Sequence, residues 1–182
     1  MKLLGLTGPK GVGKDTAAWA LVAYREWRQY ALADPLRLGI KAMFDLDDRY
    51  FENGWKETVL PQFGASPRHM MQTLGTEWGR QCIKHDVWID LAEQVIRESQ
   101  VAGCPGLVIS DIRFCNEADM VRRLGGTVAH VVSVGGYTGG HASEEGVAAC
   151  YRDEVLTNYT SINRLYESTL DLETRLKDIP KV

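Results

Sequence analysis

The chain has neither a long apolar run nor a strong charge of one sign. No stretch approaches the ~20 consecutive apolar residues that a bilayer-spanning helix needs, because charged residues interrupt every hydrophobic segment. The first residues carry no long apolar signal segment. A soluble protein with no membrane partner is therefore expected. A net charge of -3 and a pI near 5.8 give no general electrostatic attraction to a polyanion, so a nucleic-acid polymer is not the expected partner, although a local basic cluster can still hold one phosphate. Cys82, Cys104, Cys115 and Cys150 lie far apart and form no C-x-x-C pair, which removes the usual zinc and dithiol arrangements and predicts four reduced thiols in a cytoplasm. Internal repeats, low-complexity tracts and linkers are also missing.

What is present is enough apolar material for one core. The chain has 182 residues, 45% hydrophobic and 25% charged, and one globular domain over 1–182 is the default. Lys2 to Thr7 reads as a short apolar strand, and Asp15 to Gln29 places Ala18, Leu21, Val22 and Arg25 at helical spacing. A second short strand is predicted over Tyr30 to Ala33, closed by Asp34-Pro35, and a helix over Leu36 to Phe44. Asp45 to Ala65 reads as a long excursion. Ser66 then caps a helix with Pro67 in its first position and Met70, Met71, Leu74 and Trp78 behind. Another helix runs from Asp86 to about Gln100. A buried strand over Leu107 to Ile109 ends at Ser110-Asp111, and Asn116 to Leu124 forms a helix. Thr127 to Val134 is β-branched enough for a central strand, Glu154 to Leu156 is a last strand, and a closing helix carries Ile162, Leu165, Tyr166 and Leu170. Alternation of this kind predicts an α/β sheet covered by helices on both faces, with ligands beyond the carboxyl ends of the strands.

The strongest pattern is Gly8-Pro9-Lys10-Gly11-Val12-Gly13-Lys14, which satisfies G-x-x-x-x-G-K between a predicted strand and a predicted helix. Glycines let backbone N–H groups converge on phosphate oxygens, the helix start adds a positive dipole end, and Lys14 supplies a mobile ammonium. Asp15 stands where the simple pattern has Ser or Thr, and Thr16 follows. Asp15 is read equally as a metal-side carboxylate and as a complement to the helix dipole. Asp111 ends an apolar strand, where a phosphate-loop enzyme needs a carboxylate for hydrated Mg²⁺, with Arg113 two residues on. The alternative is that the two merely close the strand as a pair.

Arg68, near the Ser66 cap, and Arg80, twelve residues later, present guanidinium groups suited to a monophosphate dianion, on a similar face if the helix is continuous. Arg37, just after Asp34-Pro35, has the same chemistry. Each is otherwise an ordinary solvated arginine. Trp55, Trp78 and Trp88 have faces that can stack a base; Trp78, at helical spacing, is assigned to packing. His141, in the glycine-rich Gly139-Gly140-His141-Ala142-Ser143-Glu144, reads either as part of a lid closing over phosphate or as a surface loop before a Ser143 cap.

Four segments in order resemble the phage-type deoxynucleoside monophosphate kinases: Gly13-Lys14-Asp15-Thr16; Ser66-Pro67-Arg68 leading through Gln72 to Arg80; Ser110-Asp111-Ile112-Arg113-Phe114 through Asn116-Glu117-Ala118; and His141-Ala142-Ser143-Glu144. The resemblance implies a three-layer P-loop kinase fold with a central parallel sheet of about five strands, an inserted acceptor-binding helical region over about 36–100 and a lid loop over about 135–152. It implies ATP and Mg²⁺, small nucleotide substrates, a deoxynucleoside monophosphate acceptor, a homodimer, and the host cytoplasm if a phage encodes the chain. By this likeness Gly8, Lys10, Gly11, Val12, Gly13, Lys14, Asp15 and Thr16 hold the donor, with Thr16 and Asp111 on the metal side. Lys14, Arg68, Asp111 and Arg113 serve the reaction. Asp34, Arg37, Arg68, Gln72, Trp78, Arg80, Trp88, Arg113 and Glu117 are the acceptor-side candidates, with His141 and Glu144 in the lid. The sequence departs from the family where Cys115 replaces a proline, and where Ser133-Val134 replace an arginine and a proline; Arg152 is then the candidate for the lid's positive charge. Two other readings share the phosphate loop: a different small-molecule kinase, such as a dephospho-coenzyme A kinase, and a non-catalytic nucleotide-binding module.

Overall fold

The computed structural model describes residues 1–52, 54–133 and 147–181. By internal contacts the chain forms two compact units, Met1–Ala31 with Ala92–Val182, and Leu32–Leu91. Helix Val87–Val101 runs across the second boundary.

The first unit is built on strands β1 (Lys2–Thr7), β2 (Arg28–Tyr30), β3 (Gly106–Ile112), β4 (Thr127–Val132) and β5 (Glu154–Thr157). They form one sheet in the order β2-β3-β1-β4-β5, every pairing parallel, as the alternation of elements predicts. β1, buried from Leu3 to Thr7, sits in the centre, where both its faces are covered. Leu4 and Leu6 point to one face and pack with Ala17, Ala18 and Leu21 of α1 (Lys14–Arg25) and Leu165 and Leu172 of α6 (Ile162–Arg175). On the other face α5 (Cys115–Arg123) approaches so closely that a Cβ on Gly5 would lie 3.2 Å from Val121.

Helix α1 stops at Arg25, four residues short of the predicted end. Glu26 adopts a left-handed conformation (φ 57°), its N–H returning to Leu21 O, and the reversal sends Trp27 into the core and starts β2 at Arg28 instead of Tyr30. β3 runs from Gly106 to Ile112, one residue past Asp111, which was expected to end it. The pairing of β1 with β3 is regular up to Gly5↔Ile109 and shifts before Thr7↔Ile112; such irregularities commonly re-aim side chains beside a site.

The second unit holds α2 (Asp34–Phe44), a 3₁₀ turn over Asp48–Phe51 and α3 (Pro67–Thr73). Ser66 caps α3 as expected, its Oγ accepting from His69 N at 3.2 Å, with Pro67 in the first turn. The helix then widens: Leu74–Ile83 is π-type, ending with Lys84 N on Gly79 O, a five-residue reach. α4 (Val87–Val101) follows. Among the described residues no helix is long and apolar enough to cross a membrane.

Candidate functional site

The donor side lies where β1 turns into α1. Gly8, Gly11 and Gly13 all have positive φ (137°, 76° and 106°), a run that only glycine follows without strain. A Cβ on Gly8 would sit 2.4 Å from Val131 O, so the loop lies flat against the end of β4. Gly13 begins α1, its carbonyl accepting from Ala17 N at 2.9 Å. Lys14 Nζ turns back over the loop and donates to Gly8 O (2.7 Å) and Pro9 O (2.8 Å). Burial pushes the Lys14 pKa below the ordinary lysine value and the charge of Arg113 adds to this, while Asp15 and Asp111 pull the other way. The sheet therefore brings Lys14, Asp15, Asp111 and Arg113, from two parts of the sequence, into one electrostatic cluster. Thr16 is half-buried in the first turn, and Lys10 is exposed at the loop's tip.

Glu117, an acceptor-side candidate by the resemblance, packs beneath the turn after β3. Its side chain is buried, and Oε2 accepts from the backbone N–H groups of Arg113 (2.7 Å) and Phe114 (3.0 Å), so it grips the turn that carries Arg113.

In the second unit Arg68 Nε donates to Glu57 Oε1 at 2.9 Å and Arg80 Nη1 to His85 O at 3.4 Å. Arg37 makes a 3.5 Å ion pair with Asp34, and its buried Nε has no hydrogen-bond partner among the described residues. The π-type stretch changes the relation of Arg68 to Arg80. Twelve residues of pure α-helix, at about 100° each, would leave the two about 120° apart around the axis. With i→i+5 geometry, roughly 4.4 residues per turn, over the last six steps, the difference closes to about 10–40°. The widened turn is held by Trp88, whose Nε1 donates to Gly75 O at 2.8 Å and whose ring occupies the space a Gly79 Cβ would need, 2.4 Å away. Trp88 is thus the packing tryptophan, 7% exposed, and Trp78, assigned to packing from its spacing, is 49% exposed. Trp55 is half exposed and Gln72 half-buried. His141 and Glu144, and most of the expected lid, lie outside the described residues.

Two features escaped sequence reasoning. Asn158, after β5, donates from Nδ2 to Val12 O of the phosphate loop at 3.1 Å. The rule that ligands gather beyond strand carboxyl ends was the signal that pointed there. The side chain of Asp153, before β5, is 3% exposed; its Oδ1 accepts from Arg122 Nε (3.0 Å), its Oδ2 from Arg122 Nη2 (2.6 Å) and Cys150 N (2.8 Å), and His130 Nε2 lies 3.0 Å from Oδ2.

A central strand, a glycine loop with its lysine and a parallel sheet of this order define a P-loop kinase. Solved structures agree on the fold: a sugar kinase from a Janibacter species aligns over 96% of this chain and 95% of its own with a TM-score of 0.53 at 12% identity. A Thermus thermophilus structure aligns over 95% and 96% with a TM-score of 0.53 at 17% identity. The family model for deoxynucleotide monophosphate kinase matches residues 51–169, and the chain belongs to that family. A putative deoxynucleotide monophosphate kinase of Acanthamoeba polyphaga mimivirus is 29% identical over 187 residues, covering 93% of this chain and 95% of the relative. The deoxynucleoside-5'-monophosphate kinase of Escherichia phage T5 is 32% identical over 120 residues, 60% of this chain and 46% of that protein. The chain is therefore a phosphotransferase of the nucleotide kinase type, and family membership implies ATP as its donor.

Proposed function

We propose that the chain moves the γ-phosphoryl group of ATP onto a deoxynucleoside monophosphate, with the donor phosphates on the Gly8–Lys14 loop; by the family resemblance Arg68 and Arg80 serve the acceptor and Arg113 the reaction centre. The observation that carries this reading is the run of positive-φ glycines between β1 and α1 with Lys14 Nζ folded back over it. Lys14 already reaches two carbonyl oxygens of its own loop, and phosphate oxygens offer the same ammonium stronger acceptors. The orphaned Arg37 Nε supports a place for Arg37, with Asp34, on the acceptor side.

Mg²⁺ fits the residues present. The ion keeps several waters and takes one or two protein oxygens plus phosphate, and the hydroxyl of Thr16 and carboxylate of Asp111 are donors of that kind. Among the described residues no group of three metal-ligating side chains occurs. When bound it would neutralise charge on the β and γ oxygens. The acceptor phosphate is itself an anionic nucleophile, so no side chain is needed as a general base; the arginines hold it in line and offset charge. His141 and Glu144 belong to the lid in this reading, with Arg152 as its cation. The four unpaired cysteines support a reducing, cytoplasmic setting, and a homodimer is the assembly the resemblance implies.

Incubation with ATP, Mg²⁺ and a panel of deoxynucleoside and ribonucleoside monophosphates and dephospho-coenzyme A, followed by separation of products, tests the reading. ADP with a deoxynucleoside diphosphate is expected. Phosphorylation of dephospho-coenzyme A alone, or binding of ATP without transfer, would replace it.

A further inference from the structure

We infer that Asn158 is a positioning residue for the donor phosphates, acting through the Val12–Gly13 peptide; this rests on reading Gly8–Lys14 as the loop that holds ATP. Asn158 follows β5 directly, and its backbone N–H donates to Val132 O at 2.8 Å, which extends the β4–β5 ladder by one rung beyond Val132↔Thr157. The backbone is thus fixed by the sheet, and the side chain reaches from it to the phosphate loop, Nδ2 to Val12 O at 3.1 Å.

The consequence follows from peptide geometry. In a planar trans peptide the C=O and the next N–H point in opposite directions. Holding the Val12 carbonyl therefore aims the Gly13 N–H directly away from Asn158. That N–H is one of the donors a phosphate loop turns on its anion. The following peptide is already fixed, since Gly13 O belongs to the first turn of α1. Glycine leaves the plane between them free to rotate, and Asn158 removes that freedom. Contact is close: a Cβ on Gly13 would stand 2.7 Å from Asn158 Nδ2, so the carboxamide lies against the bare Cα. A donor fixed before the ligand arrives costs no reorganisation on binding, which is where preorganised dipoles gain their effect.

Asn158→Asp keeps the shape but sets a carboxylate oxygen against the Val12 carbonyl, and Asn158→Ala removes the contact. Both are expected to raise the ADP dissociation constant and the ATP KM about tenfold, the scale of one lost hydrogen bond. The deoxynucleoside monophosphate KM should stay within about twofold. In nucleotide-free protein the Gly13 amide ¹H–¹⁵N resonance should move, a signature that a purely structural cap at the sheet edge would not produce. A folded Asn158→Ala protein that binds ADP as the wild type does, with the Gly13 amide unmoved, overturns the inference. Loss of cooperative melting in both variants also overturns it, because the residue would then serve the sheet edge. Lys14→Met, assayed in parallel, separates the two readings. If that variant keeps near-normal kcat, the reading of the loop fails; if it is inactive while the Asn158 variants bind ADP normally, only the inference fails.

Discussion

Replacing Asp153 by Asn should cost stability in a way that depends on pH. Burial alone would push this carboxyl up, but the hydrogen bonds from Arg122, the Cys150 N–H and His130 outweigh it and hold the pKa at about 2, against an ordinary 3.8. A folded-state pKa below the unfolded one means that the stabilisation is full above the unfolded value and is lost as pH falls through the folded one. The difference of about 1.8 units corresponds to roughly 2.4 kcal/mol, complete at pH 5, about half gone at pH 3 and absent below pH 2. Asn keeps the shape but not the charge, and leaves Arg122 with Asp119 at 2.8 Å as its remaining carboxylate. Breaking the buried pair should lower stability by about 2–4 kcal/mol, or Tm by roughly 5–15 °C for a chain of this size. Urea titrations of both proteins at pH 5 and pH 3 measure this: the gap between them should narrow by about 1 kcal/mol on acidification. A gap that stays constant, or a variant as stable as the wild type at pH 5, would refute the reasoning.

Lys14→Met should leave the melting temperature within a few degrees and abolish transfer, as coupled ADP release would report. Because burial and Arg113 depress its pKa, the alkaline fall in kcat/KM for ATP should begin below the ordinary lysine range, and kcat itself should hold to higher pH once phosphates partner the ammonium. Gly8→Ala forces a Cβ to 2.4 Å from a backbone oxygen at φ 137°, whereas Gly11→Ala meets nothing within 4 Å, so Gly8→Ala should lose the larger share of stability and of ATP affinity in thermal-shift titrations. Trp88→Phe keeps a ring against Gly79 but loses the bond to Gly75 O, at a cost of about 1–2 kcal/mol in urea and a raised acceptor KM. An unchanged acceptor KM would separate the π-type turn from acceptor binding.

The parts legible in the sequence were those whose causes are local. The phosphate loop needs glycines at particular neighbouring positions, and the Ser66 cap needs an N–H three residues on. Alternating apolar strands and amphipathic helices gave away the parallel sheet. The end of α1 was hidden because Arg25-Glu26-Trp27 contains no glycine or proline, and a glutamate took the left-handed turn. The outward turn of Trp78 and the realignment of Arg80 depend on an indole donor thirteen residues beyond Gly75. Periodicity assumes one pitch along a helix, and here the pitch changes midway. Asn158 and Val12 are 146 residues apart, and Asp153 gathers partners from α5 and β4; no spacing rule links positions that only the sheet order brings together.

The central place of β1 also sets an order of events at the ribosome. Lys2–Thr7 is made before both its neighbours, since its partners in β3 and β4 lie about a hundred and about 125 residues further on. At about 5–20 residues per second this buried central strand waits for something like 5–25 s without a neighbour. Leu32–Leu91 is an uninterrupted stretch with its own internal contacts, and it is complete before β3 is made. The nascent chain thus gains its second unit while its future centre is still an unpaired, aggregation-prone segment, which makes chaperone cover of β1 the step on which yield should depend.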